Sequence, residues 1–160
     1  MRLFYELALA IVLLGLVALL FPISVAVADS AVTLPDPNLE AAIREAIGKP
    51  AGDIYQSDLV SLTSLNADNK GISDLSGLEH CTSLTSLDLS SNPISYISPL
   101  SGLTSLNSLF LGSDQISDIS PLSGLTSLVY LELDWNHISD ISPLAGLRNL
   151  ISLHLYNNGV

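Results

Sequence analysis

A period of 22 residues governs most of this chain. From Leu62 onward, apolar residues return at the same places in successive 22-residue units, and the register does not slip. The first position of every unit is a leucine: Leu62, Leu84, Leu106, Leu128 and Leu150. Self-similarity at a fixed period of this size predicts a solenoid, in which each unit buries its apolar side only against its neighbours. The units are 62–83, 84–105, 106–127 and 128–149, followed by an incomplete unit at 150–160.

Each unit contains one short strand and one tight turn. In Leu87-Asp88-Leu89 apolar and polar residues alternate with period two, which predicts a strand with its leucines facing inward. The later segment Ser98-Pro99-Leu100 cannot be a sheet strand because proline lacks an N–H donor, so a 3₁₀ turn is expected there. The pattern L-x-x-L-x-L-x-x-N-x-I is typical of a leucine-rich repeat. We therefore predict an α/β solenoid with a parallel β-sheet on its concave face and 3₁₀ or turn segments on its convex face.

The ninth position of the unit is polar although apolar residues surround it. It is occupied by Asn92, Asp114, Asn136 and Asn158. A buried amide at this point can bond the backbone of the turn, where the strand has ended and peptide groups need partners. Lys70 stands at the ninth position of the first unit, which marks that unit as an atypical edge repeat.

A helical N-terminal cap is predicted over 29–61, ahead of the repeats at 62–160. Asp36 can cap a helix that begins at Pro37, and Gly48 with Pro50 ends it. A second short helix is expected to begin at Ser57. Both are too short to bury their apolar sides alone, so they need the first repeat beside them.

The segment 1–28 has the features of a secretory signal peptide. Leu7 to Ala28 carry no charge, and Ala26-Val27-Ala28 fits the small-residue cleavage pattern, with the cut before Asp29. The alternative is an uncleaved membrane anchor, since about 20 apolar residues span a bilayer. The expected location is therefore secreted or cell-surface, with membrane contact only if the segment is uncleaved.

These features resemble a known family. The run Asn136-His137-Ile138-Ser139-Asp140-Ile141-Ser142-Pro143-Leu144 and its copies are similar to the 22-residue repeats of internalin-type bacterial leucine-rich repeat proteins. The segment 35–43, Pro-Asp-Pro-Asn-Leu-Glu-Ala-Ala-Ile, resembles the helical cap that precedes such repeats. The resemblance covers about residues 33–160. It implies an exported protein that binds other proteins with its concave sheet.

Charge and motif content exclude several functions. The formal net charge is −11, with 5 Lys and Arg, so neither nucleic acid nor an anionic lipid surface is an expected partner. The chain contains no G-x-S-x-G elbow, H-E-x-x-H helix or phosphate-binding glycine loop. We therefore expect no enzymatic activity, no catalytic residues and no cofactor. The single cysteine, Cys81, replaces a core leucine and is expected to be inert.

The outward positions of the strands, namely the third, fifth, seventh and eighth of each unit, form the candidate binding site. They are small or polar in the first two repeats and become aromatic and acidic later. The candidate partner-binding residues are Phe110, Tyr130, Glu132, Asp134, Trp135, His154 and Tyr156. Exposed rings mixed with carboxylates suit a protein-binding hot spot. The alternatives are that the rings only cover strand backbone, or that a further C-terminal portion packs on them.

Two groups of acidic residues could in principle bind a metal ion. Glu132 and His154 should face each other on adjacent strands, and with Asp134 they could bind a metal, but a cross-strand charge pair is preferred. The recurring Asp74, Asp118 and Asp140 could form a calcium ladder, but turn capping is preferred. No metal site is therefore predicted.

The sequence thus predicts an exported module for protein–protein recognition through its concave face. The alternative function is the N-terminal recognition arm of a larger secreted or surface enzyme or adhesin whose remainder lies beyond residue 160. Val160 falls in mid-repeat, so we expect a fragment whose Leu150, Leu153 and Leu155 lack cover. An isolated 29–160 chain would then self-associate or fray, although no obligate oligomer is expected in the whole protein.

Overall fold

The computed structural model describes residues 29–160, which form a cap followed by a five-stranded parallel sheet. The strands stack in chain order, and each pairs with the next at a separation of 22 residues, as in Leu65↔Leu87. This confirms the predicted solenoid fold. The strands are β1 (Ser64–Asn66), β2 (Ser86–Asp88), β3 (Ser108–Phe110), β4 (Tyr130–Glu132) and β5 (Ser152–His154). The predicted signal segment lies outside the described residues.

The core is a column of leucines and isoleucines enclosed by successive turns of the solenoid. The middle residue of each strand points inward, and Leu87, Leu109 and Leu131 are completely buried there. The same position in β5, Leu153, is 39% exposed because no further strand pairs with β5 among the described residues. Burial of one such side chain contributes about 2 kcal/mol, so the stacked column supplies the main stabilisation.

The convex side consists of 3₁₀ helices, as predicted for the Ser-Pro-Leu segments. Proline occupies an early helical position in three of them, where its missing N–H costs no hydrogen bond. The four described 3₁₀ helices are Leu78–His80, Ser98–Leu100, Ser120–Gly124 and Ser142–Gly146. These compact connections allow a parallel sheet to be built from units of only 22 residues.

The buried amides of the ninth position bind the turns together, as predicted. The Asn92 side-chain oxygen accepts hydrogen bonds from the N–H groups of Lys70 and Ile72, at 3.0 Å each. Its nitrogen donates to the carbonyls of Ala67 and Leu89, at 2.9 and 2.6 Å. One side chain therefore satisfies four backbone groups drawn from two repeats.

The N-terminal cap contains α1 (Pro37–Ile47) and α2 (Gln56–Leu59). As predicted, Asp36 caps α1 and Gly48 ends it in a left-handed conformation with φ 67°. The strand-like segment before α1 approaches the first repeat so closely at Gly77 that a Cβ there would lie 2.7 Å from the Thr33 carbonyl oxygen. Gly77 also has φ 96°, so glycine is required at this junction.

The Asp36 carboxylate joins the cap to the first repeat by hydrogen bonds. Its Oδ1 accepts from the N–H groups of Asn38 and Leu39, at 2.9 and 3.1 Å, and its Oδ2 accepts from those of Ser73 and Asp74, at 2.8 and 3.2 Å. Burial raises the pKa of Asp36, but these backbone hydrogen bonds, led by that of Ser73, outweigh it and lower the pKa below 3.8. The ionised carboxylate is therefore the stabilising form.

We predict that Asp36→Ala lowers the free energy of unfolding by about 2–3 kcal/mol, because it leaves backbone donors unpaired on both sides of the junction. Urea denaturation at neutral pH measures the loss. Because the folded pKa is lowered, the difference between wild type and variant should shrink as the pH falls below 3.8, the ordinary pKa of the side chain. Asp53→Ala, at an exposed loop position, is the control and should change stability little.

Candidate functional site

The concave face places the candidate residues in rows set by the parallel register. Tyr130 lies between Ser108 and Ser152, and Glu132 lies between Phe110 and His154. Neighbouring strands are about 4.8 Å apart, so large side chains in adjacent repeats must touch. The large side chains Phe110, Glu132 and His154 therefore form one row across β3, β4 and β5, with Tyr130 on the central strand beside it. In contrast, β1 and β2 present serine, asparagine and aspartate.

Three of the candidate side chains form a row of rings across three strands. The Tyr130 ring lies 4.9 Å from Phe110 and 5.2 Å from His154, measured between ring centroids, with tilts of 36° and 38°. Tyr130 stands two residues before Glu132 on β4, so its ring fills the gap between the two flanking rings. Offset contacts of this kind stabilise by about 0.5–1.5 kcal/mol each, which fixes the rings in place.

Two further rings, Trp135 and Tyr156, form a separate pair beyond the ends of the strands. Their centroids are 5.8 Å apart at 76°, an edge-to-face contact. Trp135 is 58% exposed and Tyr156 is 68% exposed. The structure therefore gathers the five predicted rings into two contact groups on the concave side.

Trp135 adopts a backbone conformation that tryptophan disfavours. Its φ is +58°, and the eighth position of every repeat is likewise left-handed. The other occupants of this position are Asn69, Ser91, Ser113 and Asn157. Asparagine tolerates this region because its short polar side chain bonds locally, whereas a bulky residue pays about 1 kcal/mol. The exposed indole thus costs stability at its own position.

Glu132 occupies a space that glycine provides in the neighbouring repeat. A Cβ on Gly112 would lie 2.7 Å from the Glu132 Oε1, so any larger residue would displace the carboxylate. Burial raises the pKa of Glu132, Asp134 and Asp88 raise it further, and His154 partly opposes them. Within residues 29–160, no side chain or backbone group donates a hydrogen bond to this carboxylate. The sequence analysis did not identify Gly112 as the residue that makes space for Glu132. The available signal was that Gly112 stands at the seventh position of its repeat, where every other repeat has a polar or aromatic residue.

Glu132 and His154 do not form a direct ion pair, although a cross-strand charge pair was predicted there. The two residues are paired in the sheet as expected, but the three ion pairs of the described chain lie elsewhere. His154 Nε2 instead lies 3.0 Å from Ser152 Oγ. The His154 ring packs against the Tyr130 ring, and the Glu132 Oε1 lies in the space beside Gly112.

Asp134 completes the acidic part of the face. Its Oδ1 accepts a 2.6 Å hydrogen bond from the Tyr156 N–H, which ties the turn after β4 to the turn after β5. This contact also holds the Trp135–Tyr156 pair in position. All seven predicted residues thus lie on repeats three to five, with Glu132 and Asp134 beside the two groups of rings.

Other polar side chains have structural roles. The Asp74, Asp118 and Asp140 carboxylates accept hydrogen bonds from the N–H two residues later, at 2.8–2.9 Å, which is the turn capping preferred above. Within residues 29–160, no group of three His, Cys, Asp or Glu side chains could hold a metal ion. Burial raises the pKa of the Cys81 thiol to about 12, so its reactive thiolate is suppressed as expected.

Comparison with known proteins identifies the architecture. The family model described as Leucine Rich repeats (2 copies) matches residues 60–102, 82–124 and 104–146. No curated protein matches the chain. Among solved structures, the chain is similar to an internalin, InlF, from Listeria monocytogenes, with 37% identity and a TM-score of 0.77 over 83% of this chain and 40% of that one.

Two further structures extend this likeness. The functional domain of InlJ from Listeria monocytogenes is 28% identical, with a TM-score of 0.74, over 81% of this chain and 30% of that one. A structure of the CBM51-2 and INT domains of Clostridium perfringens ZmpB is 34% identical, with a TM-score of 0.51, over 56% of this chain and 19% of that one. The chain therefore spans less than half the length of each of these structures.

The chain belongs to the leucine-rich repeat family, and its repeats are of the internalin type. This confirms the resemblance inferred from the repeat and from the cap. Such a fold serves protein–protein interaction.

The left-handed backbone at Trp135 predicts an order of stability among variants. Trp135→Asn and Trp135→Ala both remove the contact with Tyr156, but asparagine suits φ +58° and alanine does not. We expect the asparagine variant to be more stable than the alanine variant by about 0.5–1 kcal/mol in urea unfolding. Equal stabilities would show that this backbone conformation imposes no side-chain preference.

Proposed function

We propose that this protein is an exported module that recognises a protein partner through the concave face of repeats three to five. The observation that carries the proposal is Trp135, an exposed indole held in a conformation that costs stability. Strain of this kind persists where the side chain serves another purpose, and binding surfaces are where it concentrates. Rigid aromatic side chains supply large contact area at small entropic cost, as hot spots require.

The chemistry of the face favours a partner with basic side chains. Glu132 and Asp134 border the rings, and Asp88 lies in the same row of the sheet as Phe110 and Glu132. The Glu132 carboxylate is partly buried and receives no hydrogen bond from the described chain, so a guanidinium or ammonium group would meet an acceptor that is already partly desolvated. The net charge of −11 would also steer such a partner toward the protein.

Secretion or display at the cell surface is the second part of the proposal. The uncharged run Leu7–Ala28 and the Ala26-Val27-Ala28 cleavage pattern support it. Within residues 29–160, no helix is long and apolar enough to cross a membrane. If the N-terminal segment stays uncleaved, the same face would be displayed on a membrane anchor.

The first test of function measures partner affinity. We predict that Tyr130→Ala or Trp135→Ala weakens binding at least tenfold, since hot-spot truncations cost about 2 kcal/mol or more. The partner captured on the wild-type chain is purified and titrated by calorimetry against each variant, with circular dichroism confirming the fold. Ser86→Ala, at the equivalent of the Tyr130 position in repeat two, is the matched control and should bind like wild type.

The contribution of the acidic residues Glu132 and Asp134 is tested by the kinetics of association. Glu132→Gln keeps the shape of the side chain and should lower the association rate and weaken its dependence on salt concentration.

Unchanged affinity in both aromatic variants, Tyr130→Ala and Trp135→Ala, would exclude the concave face as the binding site and point to the convex side.

Export is tested by intact mass. Protein recovered from the medium or the cell surface should begin at Asp29, since the cut is predicted after Ala28. A full-length product retained in the membrane fraction would show an anchor instead of a cleaved signal.

A second candidate function is a recognition arm of a larger secreted or surface protein, either an enzyme or an adhesin. The likeness to a structure holding the CBM51-2 and INT domains of ZmpB favours it, together with the small share of each similar structure that this chain spans. The gene sequence downstream of codon 160 separates the two candidates: a catalytic domain there supports the second.

A further inference from the structure

The ninth-position side chains, Asn92, Asp114, Asn136 and Asn158, form a ladder of hydrogen-bonding groups along the solenoid. Three of them are amides and one is an acid. At the ninth position of repeat four, Asn136 accepts from the Ile116 N–H at 2.9 Å, and its nitrogen donates to the carbonyls of Leu111, Leu133 and Asp134, at 2.7, 3.1 and 3.3 Å. Asn92 and Asn158 make the same set of contacts in their own repeats. The amide nitrogen therefore always faces carbonyl oxygens, which can only accept.

Asp114 fills this position in repeat three and is 6% exposed. Its Oδ1 accepts from the Asn92 N–H at 2.9 Å, as an amide oxygen would. Its Oδ2 is buried and makes no hydrogen bond within residues 29–160. It is the only buried side-chain oxygen or nitrogen in the described chain that lacks a partner.

The repeat register defines what surrounds this oxygen. The carbonyls that accept from the Asn136 nitrogen have equivalents 22 residues earlier in the chain. For the Asp114 Oδ2 these equivalents are the carbonyls of Leu89, Leu111 and Gly112. A carboxylate has only lone pairs to offer to these oxygens, whereas a protonated carboxyl group can donate one hydrogen bond to them. The position also leaves no room for a cation, since the amide nitrogens of the ladder lie only 2.6–3.1 Å from the two nearest carbonyls.

The surrounding charges reinforce the neutral form. Asp68, in the turn after β1, and Asp88, the last residue of β2, both act on Asp114, and both are negative. On the other flank, the turn after β4 contributes the neutral Asn136 amide. The Asp134 carboxylate of that turn accepts a hydrogen bond from the Tyr156 N–H. Burial above all raises the pKa of Asp114 to about 7, while the hydrogen bonds from Asn92 and Ile94 oppose the rise and the two acids add to it.

We propose that Asp114 is a pH-operated latch in the turn after β3: protonated, it completes the ladder between repeats two and four, and ionised, it breaks the ladder there. The latch goes beyond partner recognition because it acts in the chain alone. It nevertheless lies beneath the binding face, since β3 ends at Phe110 and Gly112 holds the space for Glu132. Mild acid should therefore tighten the part of the solenoid that carries the rings.

The sign follows from the raised pKa. Between pH 4 and pH 7 the folded chain holds a proton at Asp114 that the unfolded chain has lost, so stability falls as the pH rises through this range. Above about pH 7 the folded form is ionised as well, and this contribution no longer changes with pH. Other groups also contribute to the dependence of stability on pH, so a matched variant has to isolate the Asp114 contribution.

Asp114→Asn is that variant, because it restores the ladder residue without changing the size of the side chain. Urea unfolding of both proteins at pH 5 and pH 8 should show the wild-type unfolding constant rising about a hundredfold more than that of Asp114→Asn. The variant should also be the more stable protein at pH 8. Equal changes in the two proteins, or a variant that is less stable at pH 8, would overturn the proposal.

A direct measurement needs no variant of the latch. The ¹³C chemical shift of the Asp114 carboxyl carbon in the folded wild-type protein should titrate near neutral pH, and a midpoint near 4 would reject the latch. Asp68→Asn should lower that midpoint, because it removes a facing negative charge while keeping the side-chain shape. A midpoint that stays in place would exclude the electrostatic part of the argument.

Discussion

Unpaired backbone groups in the turns are the constraint on which this structure depends. Each strand is only three residues long, so most peptide groups of a 22-residue unit lie outside the ladder of the sheet. The ninth-position amide pairs these groups. Its oxygen accepts hydrogen bonds from backbone N–H groups of one turn, and its nitrogen donates to carbonyls of two turns. Because the same side chain repeats every 22 residues, the turns stack in register, and the leucines behind them meet in a closed column.

This constraint explains why so much of the fold could be predicted from sequence. The parallel order of strands, the inward leucines and the 3₁₀ turns at Ser-Pro-Leu all follow from one period. The cap was predictable for a local reason, since Asp36, Pro37 and Gly48 carry clear start and stop chemistry. That Asp36 would also bind the Ser73 and Asp74 backbone was not visible, because this contact joins segments 37 residues apart.

The candidate site was less predictable, and the reasons are physical. The register correctly set Glu132 opposite His154, but it did not give the directions of the two side chains. Those directions depend on the volume of the Tyr130 ring and on the space over Gly112, which are properties of neighbours on other strands. The repeat pattern also placed Asp114 among the ninth-position amides, which hid its different chemistry. The side chains of Asp and Asn have the same shape, but the Asn nitrogen donates hydrogen bonds and the corresponding oxygen of an ionised Asp cannot.

The direction of the sheet hydrogen bonds has a mechanical consequence. The bonds between neighbouring strands run along the long axis of the solenoid, so tension applied between its two ends loads them in series and not in parallel. Under such a pull the repeats would detach one after another, each releasing up to about 75 Å of slack. The solenoid would thus lengthen in steps of one repeat when its two ends are pulled apart.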